Sequence, residues 1–263
     1  MLSLILTNVK DAMEKDKALK NFKEKTSNIF KHLYHSVDFL VKKIDHLDPS
    51  ENTKQRVITA LILLPLAVYA IYFSQSLFFF LATAITILMT AEWIDLIKSA
   101  KDQQRWRLIG LFYILIPIFS IIKLRLIEPN LLIWMFSIIW ATDIFAFFAG
   151  KVFGGAKLAP KISPNKTWIG LGGGVAASML IGLLSSFMFV SGNVIFFVIV
   201  SGLLAVLEQV SDLLESKFKR IFGVKDSGNI IPGHGGILDR LDGMMLLAPT
   251  VLFLVTIMPK KFL

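Results

Sequence analysis

From Val57 onward the chain alternates between long apolar runs and short polar links. The runs fall at about 57–74, 76–97, 107–124, 130–150, 167–190, 193–213 and 241–258. A helix needs roughly 20 apolar residues to cross the hydrocarbon of a bilayer, and each run is near that length. Lipid offers no partner to a free backbone amide, so such runs cross as helices with their hydrogen bonds closed internally. Pro65 and Pro117 fall inside runs, which membrane helices tolerate. The expected fold is all-α, a polytopic transmembrane helical bundle of about seven or more spans occupying residues 53–263.

Composition narrows the chemistry. The 263 residues are 55% hydrophobic, more than a soluble domain carries. The net charge of +9 could point to nucleic acid, but the lysines and arginines sit between apolar runs rather than on one soluble face. Topology and anionic lipid or substrate explain such loops better, and no nucleic-acid partner is expected. With no cysteine, thiolate metal sites and thiol nucleophiles are excluded. Four histidines make a multi-histidine centre a poor expectation, which leaves carboxylates as ligands.

Residues 1–52 have a different character. Leu2 to Leu6 is too short an apolar run for a signal peptide. Over 8–47 the segment is Lys-rich, and Phe22, Ile29, Phe30, Leu33, Val37 and Leu40 recur at helical spacing. The period predicts an amphipathic helical arm, cytoplasmic or interfacial, ending near Asp48-Pro49. A helical hairpin packed on the bundle and a partner-binding arm are the alternatives.

Loop charge predicts orientation. Lys98, Lys101, Arg105 and Arg107 crowd the link at 98–107, and Lys151, Lys157, Lys161 and Lys166 occupy 151–166 without an acid. With seven spans and the N-terminus inside, both loops and the stretch 214–240 fall on the cytoplasmic side. Lys123, Arg125, Lys260 and Lys261 argue weakly the other way.

Charges inside apolar runs are costly, about 2.5–3.5 kcal/mol each at a helix centre. Glu92 and Asp95 near the end of the second run are either bystanders at the interface or part of a polar site. Asp143 lies in the fourth run, and Glu208 and Asp212, four residues apart, share a face near the end of the sixth. That face leads into Ser216–Asp242, reading SKFKRIFGVKDSGNIIPGHGGILDRLD. Here Lys217, Lys219, Arg220, Lys225 and Arg240 can neutralise phosphate, while Asp226, Asp239 and Asp242 can hold a hard cation. Gly228, Gly233, Gly235 and Gly236 leave backbone amides open to a ligand. His234, between glycines, suits a hydrogen bond to phosphate better than metal ligation.

This segment resembles the signature of phosphatidate cytidylyltransferases (CDP-diacylglycerol synthases). Ser216, Lys219-Arg220, Lys225-Asp226, Ile231-Pro232, His234-Gly235-Gly236 and Asp239-Arg240-Leu241-Asp242 match it without departure. The stretch from Trp140 and Asp143 through Gly150-Lys151, Lys157 to Lys161 and Ser163 to Trp168 is similar to the same family. Ala91-Glu92-Trp93 resembles it loosely, and residues 1–50 show no likeness. Lys166-Thr167 is not a phosphate-binding P-loop: Asn165 stands where glycine is needed and no strand-to-helix turn surrounds it. Gly170 and Gly172–Gly174 open a span, where close helix packing is the better explanation.

The resemblance implies an integral enzyme of the bacterial cytoplasmic (inner) membrane. It would join CTP and phosphatidate to give CDP-diacylglycerol and diphosphate, with a homodimer as the assembly. Lys219, Arg220, Lys225, Asp226, His234 and Arg240 are the expected catalytic group. Lys157, Lys161, Ser163, Lys166, Thr167, Ser216, Gly235 and Gly236 are expected to bind substrate. Mg²⁺ is the expected cofactor, with a monovalent cation such as K⁺ as a possible companion. Asp212 and Asp239 are its first-choice ligands, with Asp242 and Asp143 behind them. A CTP-dependent polyprenol or phytol kinase is the rival enzyme, and a transporter of anionic substrates the rival outside catalysis.

Overall fold

The computed structural model describes residues 63–189, 193–228 and 235–262. The expected N-terminal arm and His234 lie outside the described residues.

Among the described residues five helices are long and apolar enough to cross a membrane, and two further apolar helices are shorter. In chain order α1 covers Leu63–Tyr72 among the described residues. Then come α2 (Gln75–Leu96), α3 (Gln103–Ile127) and α4 (Pro129–Phe153). After a two-stranded hairpin follow α5 (Trp168–Ser185), α6 (Val194–Ile221), the single turn α7 (Leu238–Leu241) and α8 (Met244–Ile257). Of the seven expected spans, five are of full length among the described residues, and the first run lies partly outside them. At about 1.5 Å per residue, the 14 residues of α8 make about 21 Å, well short of the roughly 30 Å of hydrocarbon.

The helices end where local chemistry dictates. Ser74 accepts from Leu77 N, Asp102 from Arg105 N and Asn193 from Phe196 N, each an N-cap. Between α3 and α4 the link shrinks to Glu128, whose carboxylate caps Asn130 N ahead of a proline-started helix. Pro117 and Pro249 sit inside α3 and α8.

The all-α expectation needs one correction. The loop at 151–166 is not irregular throughout: β1 (Lys157–Ala159) pairs antiparallel with β2 (Ser163–Thr167). β2 runs directly into α5, so the strand-to-helix context expected to be absent around Lys166-Thr167 is present, and only the missing glycine argues against a P-loop. Residues outside hydrocarbon can close backbone hydrogen bonds across strands, and Pro160 turns the chain back.

Glycine brings α4 and α5 together. A Cβ on Gly173 would stand 2.6 Å from Ala149 Cβ, and one on Gly170 2.8 Å from the Ala146 carbonyl. The cluster thus serves close packing, as expected, although Gly172 faces open space. At one end of the bundle Trp134 donates to Ser201 Oγ at 2.9 Å, and Phe189, Phe197 and Phe262 pack around its ring. At the other end Phe218 meets Trp93, Trp106 and Tyr113 edge to face and Phe222 meets Trp106 likewise, fastening α2 and α3 to the end of α6.

Candidate active site

Glu208, Asp212, Glu215 and Lys219 recur along α6 at spacings of four, three and four, which aligns them on one face. The hairpin meets that face. Lys166, on β2, forms an ion pair with Asp212 Oδ2 and donates to Gln209 Oε1 at 2.8 Å. Gln209 donates in turn to Glu208 Oε2 at 2.8 Å, and Ser216 Oγ to Asp212 Oδ1 at 3.2 Å. Asp143, from α4, feels Asp212, Lys166, Glu208 and Arg240 electrostatically. One turn further along α6, Arg220 donates through Nε to the Ile162 carbonyl at 3.3 Å and through Nη1 to the Val224 carbonyl at 3.0 Å. The two cation-rich segments therefore form one site at one end of the bundle.

A second knot lies beside the first. Lys219 Nζ is held by Glu215 Oε2 at 2.6 Å and Asp239 Oδ1 at 2.7 Å, with all three side chains largely buried. Asp239 Oδ2 also accepts from Gly236 N at 2.9 Å and Ser227 N at 3.0 Å. Burial alone would push the Asp239 carboxyl up, but the bonds from Lys219, Gly236 and Ser227 carry it below the usual carboxylate value. Gly235, at φ 81°, takes a conformation open to glycine at little cost.

Asp242 lies between α7 and α8, its carbonyl accepting from Ser211 Oγ and its Oδ1 from Gly243 N at 2.8 Å. Burial pushes its carboxyl well above the ordinary value, and Asp212, Glu215 and Asp143 push the same way. Lys157, Lys161, Lys225 and Asp226 are exposed on the same end, and Ser163 is half-buried within β2. The Thr167 hydroxyl caps α5 by accepting from Gly170 N at 3.0 Å, and only 4% of the residue is exposed. Among the described residues no three histidine or carboxylate side chains form a ready-made cation cage. Magnesium usually takes one or two carboxylates and fills its shell with water and substrate phosphate, so a cage is not required.

Two participants escaped the sequence reading and a third was left open. Glu215 and Gln209 could have been found from the Glu208-Asp212 stripe, because Glu215 continues it and Gln209 adjoins it. Glu92, left open as an interfacial residue, is 2% exposed and hydrogen-bonded to the signature segment. No local spacing could have indicated that contact.

Such a bundle, with lysines, arginine and carboxylates interleaved at one end, defines a membrane-embedded enzyme for phosphate-bearing substrates. The sequence pattern of the Cytidylyltransferase family matches residues 54–129 and 107–258, and the chain belongs to that family. It is similar to the phosphatidate cytidylyltransferase of Rickettsia bellii (strain RML369-C), 44% identical over 212 residues, covering 77% of this chain and 90% of the relative. The Rickettsia felis (strain ATCC VR-1525 / URRWXCal2) protein of the same name is 43% identical over 217 residues, 79% of this chain and 94% of the relative. That of Rickettsia prowazekii (strain Madrid E) is 42% identical over 226 residues, 82% and 97% of the two chains.

Proposed function

We propose that the chain joins CTP to phosphatidate, giving CDP-diacylglycerol and diphosphate. The observation that carries this reading is the Lys166–Asp212 pair, which draws both cation-rich segments into one site. Relatives named for the reaction, matched over most of their length, support the substrates. A phosphatidate oxygen would attack the α-phosphorus of CTP as the bond to diphosphate breaks. The attacking group is already an oxyanion, so the protein has to align two anions and screen their repulsion rather than supply a base. Lys166, Lys219, Arg220 and Arg240 would do the screening, and the exposed Lys157, Lys161 and Lys225 would draw in the nucleotide.

Asp212 fits Mg²⁺ best. Its present partners are the side chains of Lys166 and Ser216, which can be exchanged without unfolding backbone. Asp239 could offer only Oδ1, and only by exchanging Lys219 for the ion, because Oδ2 holds the Gly236 and Ser227 amides. Asp242 and Asp143 stand behind them. The ion, when bound, would neutralise charge on the phosphates. A companion K⁺, a homodimer and residence in a bacterial cytoplasmic membrane, with this end of the bundle on the cytoplasmic side, belong to the same reading. The excess of lysine and arginine in its loops supports the orientation.

The decisive experiment incubates the purified protein with labelled CTP, Mg²⁺ and phosphatidate. A CDP-lipid with equimolar diphosphate is expected. Transfer of phosphate to a polyprenol or phytol, with none to phosphatidate, would sink the assignment.

A further inference from the structure

A carboxylate withdrawn from water inside a membrane helix is unfavourable unless each oxygen finds donors. Glu92, near the end of α2, has only 2% of its surface exposed. Its Oε1 accepts from Ile237 N at 2.8 Å and its Oε2 from Leu238 N at 2.9 Å, with Ser227 Oγ at 3.4 Å. All three donors are neutral, and all lie on the signature segment, 135 to 146 residues away.

The backbone there is shaped around this carboxylate. A Cβ on Gly228 would stand 2.9 Å from Glu92 Oε1, and one on Gly236 2.8 Å from Oε2 and 2.1 Å from Ser227 Oγ. Glycine at both positions lets the chain close on the side chain. Ser227 is shared: its amide is held by Asp239 and its hydroxyl by Glu92. Two carboxylates from distant parts of the chain therefore hold 227–228 against 236–238.

We propose that Glu92 is a positioning residue for the reaction, holding the signature backbone in the arrangement that receives CTP. It touches no substrate. It acts through the amides of Ile237 and Leu238, which fix where Gly236 and Asp239 stand. The inference rests on the reading that this segment handles the nucleotide. The bonds themselves do not depend on that reading, so the two can be tested apart.

The test is Glu92→Gln in the full-length protein, reconstituted in vesicles. The carboxamide keeps the shape but turns an N–H toward one of the two backbone amides. We expect the KM for CTP to rise by about 10- to 100-fold, the KM for phosphatidate to stay unchanged, and amide exchange to quicken in a peptide covering Ile237 and Leu238. Ser227→Ala, which removes only the longest of the three bonds, should raise the KM for CTP in the same direction by less. An unchanged KM for CTP in folded Glu92→Gln, or an equal rise for both substrates, would overturn the proposal. Should Glu92→Gln not fold, Ser227→Ala decides alone, and an unchanged KM for CTP there would be fatal. If the wild type consumes no CTP, the functional reading fails, while the exchange rates still decide whether Glu92 holds this backbone.

Discussion

Lys219 on α6 meets Asp239 at the start of α7 at 2.7 Å, and this contact ties the longest helix to the returning signature segment. The same ammonium holds Glu215 at 2.6 Å, so one cation bridges two carboxylates with little water around any of them. Removing the cation would leave two buried acids facing each other, which costs more than the pair contributes. Lys219→Met should therefore unfold at lower temperature and lose activity together. Lys219→Met with a wild-type melting temperature in detergent would contradict that account.

Asp239 also sets an acid limit. Its carboxyl lies below the usual value in the folded protein and titrates near 3.9 when unfolded. Its stabilisation is thus present above about pH 4 and is lost as pH falls through the folded-state value. Asp239→Asn should be less stable at neutral pH and less sensitive to acid below pH 4. Parallel acid-unfolding curves for the variant and the wild type would sink this.

Asp212→Asn is expected to lose nearly all turnover, because the site would lose both its best cation ligand and the partner of Lys166. Raised Mg²⁺ or Mn²⁺ should restore part of it. Lys166→Ala should lose activity too, and the double variant should lose less than the two single losses combined, since the residues act as a pair. Additive losses would separate their roles.

Orientation can be read with cysteines, because the chain has none of its own. Lys157→Cys and Lys225→Cys are both exposed at the same end of the bundle and should be labelled from the same, cytoplasmic, side of sealed vesicles. Ser227 is buried and would make a poor reporter. Labelling from opposite sides would break the site apart.

At the seam of α4 and α5, Gly173→Leu should destabilise by about 1–3 kcal/mol, because its first carbon already meets Ala149. A thermal melt would measure it, and Ala149→Gly should recover part of the loss.

Much of this was legible from residue order. Apolar runs located the helices, the glycine cluster announced a close helix pair, and the Glu208–Asp212 spacing aimed at the signature. What escaped depends on distance along the chain. Glu92 meets Ile237 only after the bundle has assembled, and no periodicity records such a contact. That Thr167 caps α5 was not legible either, because its place in the run comes from the family resemblance and not from the helix start. The last apolar run reads as a full span because Leu241, Asp242 and Gly243 extend it by composition, whereas the chain turns there and α8 begins only at Met244.

That short last helix has a consequence for how the substrates meet. Phe262, just past α8, packs against Phe196 and Phe197 at the start of α6, so the two helices share a level at that end. Counting from Val194 at about 1.5 Å per residue, Glu208 stands about 21 Å along α6 and Asp212 about 27 Å, both within the roughly 30 Å of hydrocarbon. With α6 entering the hydrocarbon at Val194, the carboxylates would stand below the level of the lipid headgroups. On the proposed orientation, a phospholipid diffusing in the plane of its leaflet would reach them sideways without lifting its tails into water, while the nucleotide would come from the aqueous side. Confining one reactant to two dimensions would turn the encounter into a search over area rather than volume.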